Sequence, residues 1–348
     1  MKYRRIMAAI LAVSAFAGVT GCSSKDVNTS GEGAASAVAL TKENAKETLT
    51  QCIDNLGVKE LSEANKDEVN MAIDMGLELN VICGVDESTL SEEDKEAVKQ
   101  FTSLTSDMFD MQFKVDGNNS YSSIKLNIPD MPMEMQSYTV VNEDNTLTQY
   151  SLNPFMGGWT KMVVEMPTAD EETAETTEAD AVDTDKYMND LLEIIEIESV
   201  EEISDGVYCV KTNLSSEEIK NNEELSSEMD TEAITSMVGV DGDALADIKF
   251  DVAVQFTVDT NADVITNMVI DFTQLMEVII DQTIINADEY TELNADAITV
   301  EAAKISLDIT DIGSCKIEVP AEVVESATDM QSMFDIDTDF GDIEAYVE

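Results

Sequence analysis

The chain contains no histidine among its 348 residues. Histidine is the commonest general base and the partner in Ser-His and Cys-His nucleophilic systems, so those mechanisms are excluded. A G-x-S-x-G elbow, a Walker-type loop and a dinucleotide fingerprint are also missing. Paired carboxylates, as in glycosidases, arise by chance among 73 acidic residues, and a single tryptophan is present to stack on sugars. The sequence therefore predicts a protein that is not an enzyme and uses no cofactor.

Basic residues are scarce: 19 lysines and arginines stand against 73 acidic residues, for a formal net charge of −54. Such a surface repels nucleic acid and anionic lipid headgroups, so neither is a predicted partner. The charge is interpreted first as a device for solubility on a crowded cell surface, and second as a means of recognising a basic partner. Apolar content is 43%, which is typical of a folded domain.

The cysteines show no CxxC spacing, so redox catalysis and zinc binding have no support. Beyond the N-terminal region the chain allows two disulfides in three possible pairings, and free buried thiols are the alternative. The residues concerned are Cys52, Cys83, Cys209 and Cys315.

Two acidic clusters resemble the start of a calcium loop. The set Asp335, Asp337, Asp339 and Asp342 lacks the glycine and the bidentate glutamate that such a loop needs. The other cluster, at residues 259–263, is explained by a hairpin turn, which Asp and Asn favour. No metal site is predicted.

The N-terminus carries a predicted lipoprotein signal. Lys2, Arg4 and Arg5 precede an apolar run, Ile6–Ala17, that is too short to span a bilayer. The run ends in Val-Thr-Gly-Cys22, which resembles the bacterial lipobox, where the signal is cut before a cysteine that is then acylated. The alternative is an ordinary secretory signal. We expect the acyl chains on Cys22 to hold the mature chain on the extracellular face of the cell membrane.

The composition divides the chain into segments. Residues 1–21 are the predicted signal peptide, 22–39 the lipidated cysteine and a flexible tether, and 40–334 one domain. Within that domain, residues 168–185 are predicted to be a disordered acidic insertion. After the domain, residues 335–348 are predicted to form an acidic tail.

The stretch Lys249–Phe272 predicts a long antiparallel hairpin with one apolar side. The segment Met71–Cys83 has apolar residues at successive odd positions and predicts a second long strand, with a helix over its first half as the alternative. Further strands are predicted from Phe109 to Met166, at Ile203–Leu214 and at 305–309. An amphipathic helix is predicted to begin at a Thr41 cap, and other helices at 187–197, 215–237 and after Pro320. Residues 90–101 are predicted to be a short helix or an irregular excursion.

Nineteen methionines are present, several on predicted strand faces. Methionine is flexible and polarizable, so it suits the wall of a cavity for varied apolar ligands, although ordinary core filling is the simpler interpretation. The candidate ligand-binding residues are Met71, Met75, Met111, Phe113, Phe250, Val254, Phe256, Met268, Ile270 and Phe272.

The order of motifs resembles a family. The lipobox, the amphipathic helix, the stretch beginning Tyr138-Thr-Val-Val, the motif Gly158-Trp-Thr-Lys, the long hairpin and the closing Ile317-Glu-Val-Pro are similar to surface lipoproteins of Gram-positive bacteria with a LolA/LppX-like fold. The resemblance implies an α+β fold: a large curved antiparallel sheet, or unclosed half-barrel, with helices across its concave face. In better-known relatives that concavity shelters lipid acyl chains.

Two functions are therefore expected. The first is a membrane-anchored carrier that binds a lipid or other amphiphilic ligand in the half-barrel. The alternative is a structural or interaction module with a closed core and a surface protein as its partner.

Overall fold

The computed structural model describes residues 39–56, 69–86, 88, 90–102, 109–128, 131–142, 144, 146–153, 157–165, 192–221, 249–285 and 298–330. The signal peptide with Cys22, the predicted tether up to residue 38, the insertion at 168–185, the tail at 335–348 and most of the predicted helix at 215–237 lie outside these residues. No helix of the described residues is long and apolar enough to cross a membrane.

The described elements follow one another as helices and strands of one sheet. The helices are α1 (Ala45–Asn55), α2 (Glu92–Thr102), α3 (Ser216–Asn221), α4 (Thr273–Ile285) and α5 (Ala321–Ser326). The strands are β1 (Asn70–Cys83), β2 (Phe109–Asp116), β3 (Asn119–Ile128), β4 (Met131–Val141), β5 (Thr146–Asn153), β6 (Gly158–Glu165), β7 (Glu196–Ser204), β8 (Val207–Ser215), β9 (Asp251–Asp259), β10 (Val264–Asp271), β11 (Ile298–Thr310) and β12 (Thr328–Asp329).

The twelve strands of the described residues form one open sheet in the order β12-β6-β5-β4-β3-β2-β1-β11-β10-β9-β8-β7. The α+β class and the wide unclosed sheet are thus confirmed. The sheet is mixed, because β12 pairs with β6 in parallel while the other pairs are antiparallel. The parallel pair arises because the chain after β11 runs on past the intervening strands before it reaches the β6 edge.

The two longest strands lie side by side in the middle of the sheet. β1 has 14 residues and β11 has 13, and Ile305 and Leu307 of β11 lie opposite Leu77 and Met75 of β1. The predicted strand Met71–Cys83 is confirmed, and its helical alternative is wrong. The strict alternation of apolar residues on β1 leaves one side for a core and one for solvent, which a strand satisfies and a helix does not.

The predicted hairpin Lys249–Phe272 is also confirmed, as β9 and β10. Its turn is closed by the side chain of Asp259, whose Oδ1 accepts hydrogen bonds from the amides of Asn261 and Ala262 at 2.9 and 3.3 Å. Asp263 has a φ of 52°, a left-handed conformation that aspartate tolerates better than most residues.

Helix α1 covers part of one side of the sheet with the predicted apolar stripe, since Ala45, Leu49, Cys52, Ile53 and Leu56 are all buried. The predicted Thr41 cap is wrong, because the helix begins at Ala45 and Asn44 occupies the cap position. The side-chain oxygen of Asn44 instead accepts hydrogen bonds from the amide and hydroxyl of Thr41, at 2.7 and 3.2 Å. An asparagine that bonds backwards along the chain competes with the threonine as the start signal.

Two buried clusters fill the space between the sheet and its helices. One joins α1 to Met71, Phe256 and Val258, and the other joins α2 and α4 to Met75, Leu77 and Ile305. Ile73 and Met268 pack against both clusters, so the two clusters form a continuous core on one side of the sheet.

The predicted helix at 187–197 is wrong at its C-terminal end, where β7 begins at Glu196.

Candidate functional site

The two faces of the sheet differ in charge. We call the face that carries Met71, Met75 and Met111 the methionine face, and the opposite one the charged face. Cross-strand register assigns the paired strand residues to one of them, and the unpaired Glu301 accepts a hydrogen bond at 2.6 Å from Asn80, which lies on the charged face. Apart from the edge strand β7 and the two-residue β12, no described strand has a charged residue on the methionine face. The strand lysines all lie on the charged face: Lys114, Lys125, Lys161, Lys211 and Lys304.

One row of residues crosses the methionine face from β7 to β4, each directly opposite the next. We call it the methionine row, and its members are Val200, Val210, Phe256, Met268, Leu307, Met75, Met111, Ile124 and Met135. Met75 near the middle of the sheet is 4% exposed, whereas Met135 at the β4 end is 36% exposed. Burial therefore falls along a single apolar row as it leaves the helices.

Met111 and Ile124 stand between these extremes and are half-buried. Met162 of β6 is 40% exposed on the same face, in register with Gln149 of β5 and Thr139 of β4 and not with Met135. We call the methionine face of β3–β6 the open patch. It is uncharged and partly exposed, in a protein whose formal net charge is −54.

The sequence-derived candidates divide according to their distance from the helices. Met71, Met75, Phe256 and Phe272 are buried within the two core clusters. Four others are half-buried against those clusters: Met111, Phe113, Val254 and Met268. Phe250 and Ile270 are half-buried, and the amide of Phe250 donates a hydrogen bond to Ser216 Oγ at 3.1 Å. Their assignment to a ligand site stays a prediction.

The open patch lies outside the candidate site predicted from the sequence. The missed signal is the absence of charge at every second position of β3, β4, β5 and β6. A solvated strand face in so acidic a chain is expected to carry carboxylates.

A polar row lies next to the methionine row within the open patch. Ser122, Ser137, Ser151 and Thr160 come from four neighbouring strands and lie directly opposite one another. All four are half-buried. Ser137 Oγ accepts a hydrogen bond from Gln149 at 3.4 Å, and Thr160 Oγ1 donates one to the Ser151 carbonyl at 3.1 Å. We call this the hydroxyl row.

The charged face of the same strands carries an aromatic cluster. The rings of Tyr121 and Tyr138 are 4.6 Å apart, and those of Tyr138 and Trp159 are 5.8 Å apart. Lys114 Nζ lies 6.0 Å from the centre of the Tyr121 ring. Burial raises the pKa of the Tyr138 hydroxyl, with smaller contributions in the same direction from Tyr121 and Glu322. The chain segment before β12 therefore passes close to these rings and helps to cover them.

That segment is fixed at its start by Asn70, whose side-chain amide donates hydrogen bonds to Asp116 Oδ1 at 3.0 Å and to the Cys315 carbonyl at 2.8 Å. The amide of Ile317 donates to the other oxygen of Asp116, at 3.2 Å. The closing segment is thus tied to the start of β1 and the adjoining end of β2, and the side chain of Val323 in this segment is buried.

The sequence allows either two disulfides or free buried thiols. The structure has free thiols at Cys52, Cys83, Cys209 and Cys315. Burial, together with the nearby carboxylates Asp263 and Asp259, raises the pKa of the Cys52 thiol to about 12. Burial also raises the thiol pKa of Cys209 and Cys315. Thiols held protonated in this way pack as small apolar groups and are poor nucleophiles.

No protein-family model matches this chain, and no curated protein sequence matches it. The resemblance to LolA/LppX-like lipoproteins therefore stays a prediction.

Proposed function

We propose that this protein is a membrane-anchored extracytoplasmic lipoprotein, without enzymatic activity, that binds a lipid or other amphiphilic ligand on the open patch of a half-barrel. The observation that carries this proposal is the change of exposure along the methionine row, from 4% at Met75 to 36% at Met135. The same uncharged surface serves as core at one end and meets solvent at the other.

Exposed apolar residues that gather on one face are typical of an interaction site, and Met135, Met162 and Val164 are all exposed on the methionine face. Removing such surface from water stabilises a complex by roughly 25 cal/mol for each Å². A chain with 73 acidic residues can easily supply charge to a solvated strand face. The absence of charge from the methionine face of β3–β6 therefore favours a surface that is kept uncharged for binding.

The anchor in this proposal is Cys22, acylated after cleavage of residues 1–21. Two or more acyl chains hold a protein on a membrane far more firmly than one chain does. The net charge of −54 keeps the domain away from anionic headgroups, so the link to the membrane is the lipid on Cys22. Cys22→Ser should move the protein from the membrane fraction to the soluble fraction.

The alternative function is an interaction module with a surface protein as its partner. It is favoured by the way α1, α2 and α4 bury the inner part of the methionine face, including Met71, Phe256 and Phe272. A sheet whose core is filled by its own helices does not need a ligand to fold. In that case the open patch would meet another protein.

Native mass spectrometry of the chain from Ser23 onward, purified without detergent, distinguishes these functions. The unmodified protein should carry an added mass that solvent extracts as a lipid or another amphiphile, or should acquire one from a lipid panel. Met135→Asp places a carboxylate on the open patch and should abolish that mass. Val324→Asp is the matched control, because Val324 is 47% exposed on α5, whose Glu322 acts on Tyr138 of the charged face.

Loss of the mass in Met135→Asp alone would support the carrier. A clean apoprotein mass before and after incubation with the panel would reject the carrier and favour the interaction module. Equal loss in both variants would show that the added mass is not held at the open patch.

A further inference from the structure

We infer that the ligand of the open patch has an uncharged headgroup that carries hydroxyl groups, as a glycolipid or a diacylglycerol does. This inference rests on the proposed function and specifies its ligand class. It follows from two features that lie side by side: a face without charge, and a row of hydroxyls next to an exposed apolar row.

The charge distribution disfavours an ionic headgroup. Anionic headgroups are recognised by Lys or Arg side chains. The lysines of β2, β3 and β6 (Lys114, Lys125 and Lys161) all lie on the charged face, on the other side of the sheet. A cationic headgroup would favour carboxylates, and those of β3–β6, Glu134 and Glu165, also lie on the charged face. An ion on the methionine face would lose water without gaining a counter-charge.

The hydroxyl row supplies what a neutral headgroup needs. Each serine or threonine hydroxyl can donate one hydrogen bond and accept others, so it matches sugar and glycerol hydroxyls in either direction. Ser137 already accepts from Gln149 and keeps its own proton for a further bond. Neighbouring strands are about 4.8 Å apart, so a row across four of them extends about 14 Å, comparable with one or two sugar rings.

The two rows are correctly placed for one amphiphile. Ser137 is two residues from Met135 on β4, and Ser122 is two residues from Ile124 on β3. Two residues along a strand span about 7 Å on the same face. A ligand that lies across the strands can therefore hold a chain against Ile124 and Met135 while its headgroup reaches the hydroxyl row. On β2 the position in the same register as Ser122 is the apolar Phe113, so the hydroxyl row ends at β3.

The experiment compares a neutral and an anionic lipid with the same acyl chains. The soluble chain from Ser23 onward is incubated with glucosyl-diacylglycerol or with phosphatidylglycerol, and retention is measured by native mass spectrometry. The unmodified protein should retain the glycolipid at least tenfold more than the phospholipid. The double variant Ser137→Ala/Ser151→Ala should lose about tenfold or more of that retention, because each lost hydrogen bond costs about fivefold.

A charge variant makes the test independent of that loss. Ser137→Lys puts a cation in the hydroxyl row and should move the preference toward phosphatidylglycerol. Gln136→Lys is the matched control, since it adds the same charge at the next residue, on the charged face. It should leave the glycolipid preference unchanged.

Equal or stronger retention of phosphatidylglycerol by the unmodified protein would overturn the inference while leaving the proposed carrier intact. Retention of the glycolipid that is indifferent to both Ser137 variants would also overturn it. Failure to retain either lipid, in a protein with an unchanged circular dichroism spectrum, would instead reject the proposed function itself.

Discussion

Truncating the same residue type at two points of the methionine row tests whether its two ends differ as the structure indicates. The perturbations are Met75→Ala and Met135→Ala. Met75 is 4% exposed and packs in the cluster of α2 and α4, whereas Met135 is 36% exposed. Both substitutions remove the same atoms, so differences in side-chain chemistry cancel.

The expected costs follow from burial. Truncation of a fully buried methionine to alanine costs about 2–5 kcal/mol, which combines lost transfer free energy with a cavity. We expect about 3 kcal/mol for Met75→Ala. At Met135 the side chain is about a third exposed and leaves a groove that water can fill, so the cavity contribution disappears and about 1 kcal/mol is expected. For a domain of roughly 300 residues these losses lower the Tm by about 5 °C and 2 °C.

Urea unfolding of both variants, followed by circular dichroism, gives the two free energies of unfolding. An unchanged m value would show that the variants differ in stability and not in the compactness of either state. Equal losses at the two positions would refute the exposure gradient, and with it the physical basis of the open patch. A larger loss at Met135 than at Met75 would have the same consequence.

The remaining predictions concern the backbone and the thiols. Gly206 has a φ of +72°, and a Cβ there would collide with the side chain of Asn261. Gly206→Ala should therefore lower the free energy of unfolding by at least about 1 kcal/mol more than Gly313→Ala, where the φ is +71° and the space is open. Equal midpoints of urea unfolding would contradict this. Because the pKa of Cys52 is raised to about 12, its thiolate is scarce at pH 8, and alkylation should be about a thousandfold slower than in the unfolded chain. The unfolded soluble chain should react at all four thiols without reductant, and a lower number would indicate a disulfide.

Local alternation made most of the strands predictable. β1 and the β9–β10 hairpin follow from apolar residues at every second position, because a half-buried strand has no other way to satisfy both of its faces. The stripe from Ala45 to Leu56 predicted α1 for the corresponding reason at helical spacing. These signals lie within one element, so a single sequence is sufficient to read them.

The pairing of strands that are far apart in the sequence could not be predicted. β1 lies beside β11, and β12 beside β6, which depends on the shape complementarity of whole elements and leaves no local pattern. The start of α1 was predicted wrongly because Thr41 and Asn44 are both good cap residues. The hydrogen bond from the Thr41 amide to the Asn44 side chain cannot be read from the sequence. The free thiols likewise could not be chosen over disulfides from spacing, since pairing requires distances in space.

The open patch helps to choose between a carrier and an interaction module, because it combines part of the methionine row with the hydroxyl row. On the part of the methionine face that the helices bury, β1, β9 and β11 have only apolar side chains, and the buried hydroxyl of Thr212 on β8 is satisfied by the Val254 carbonyl at 2.9 Å. A face that is merely solvated would gain from carboxylates, which the charged face of β3–β6 has at Glu134 and Glu165. Ser122, Ser137, Ser151 and Thr160 fit neither requirement, since they are polar, uncharged and half-buried beside an exposed methionine. Side chains of that kind satisfy a partner that is itself part apolar and part hydroxylated. A protein partner would also be expected to meet charged residues at the rim of its interface, as polar rims do, so the uncharged methionine face across β3–β6 favours the small amphiphile.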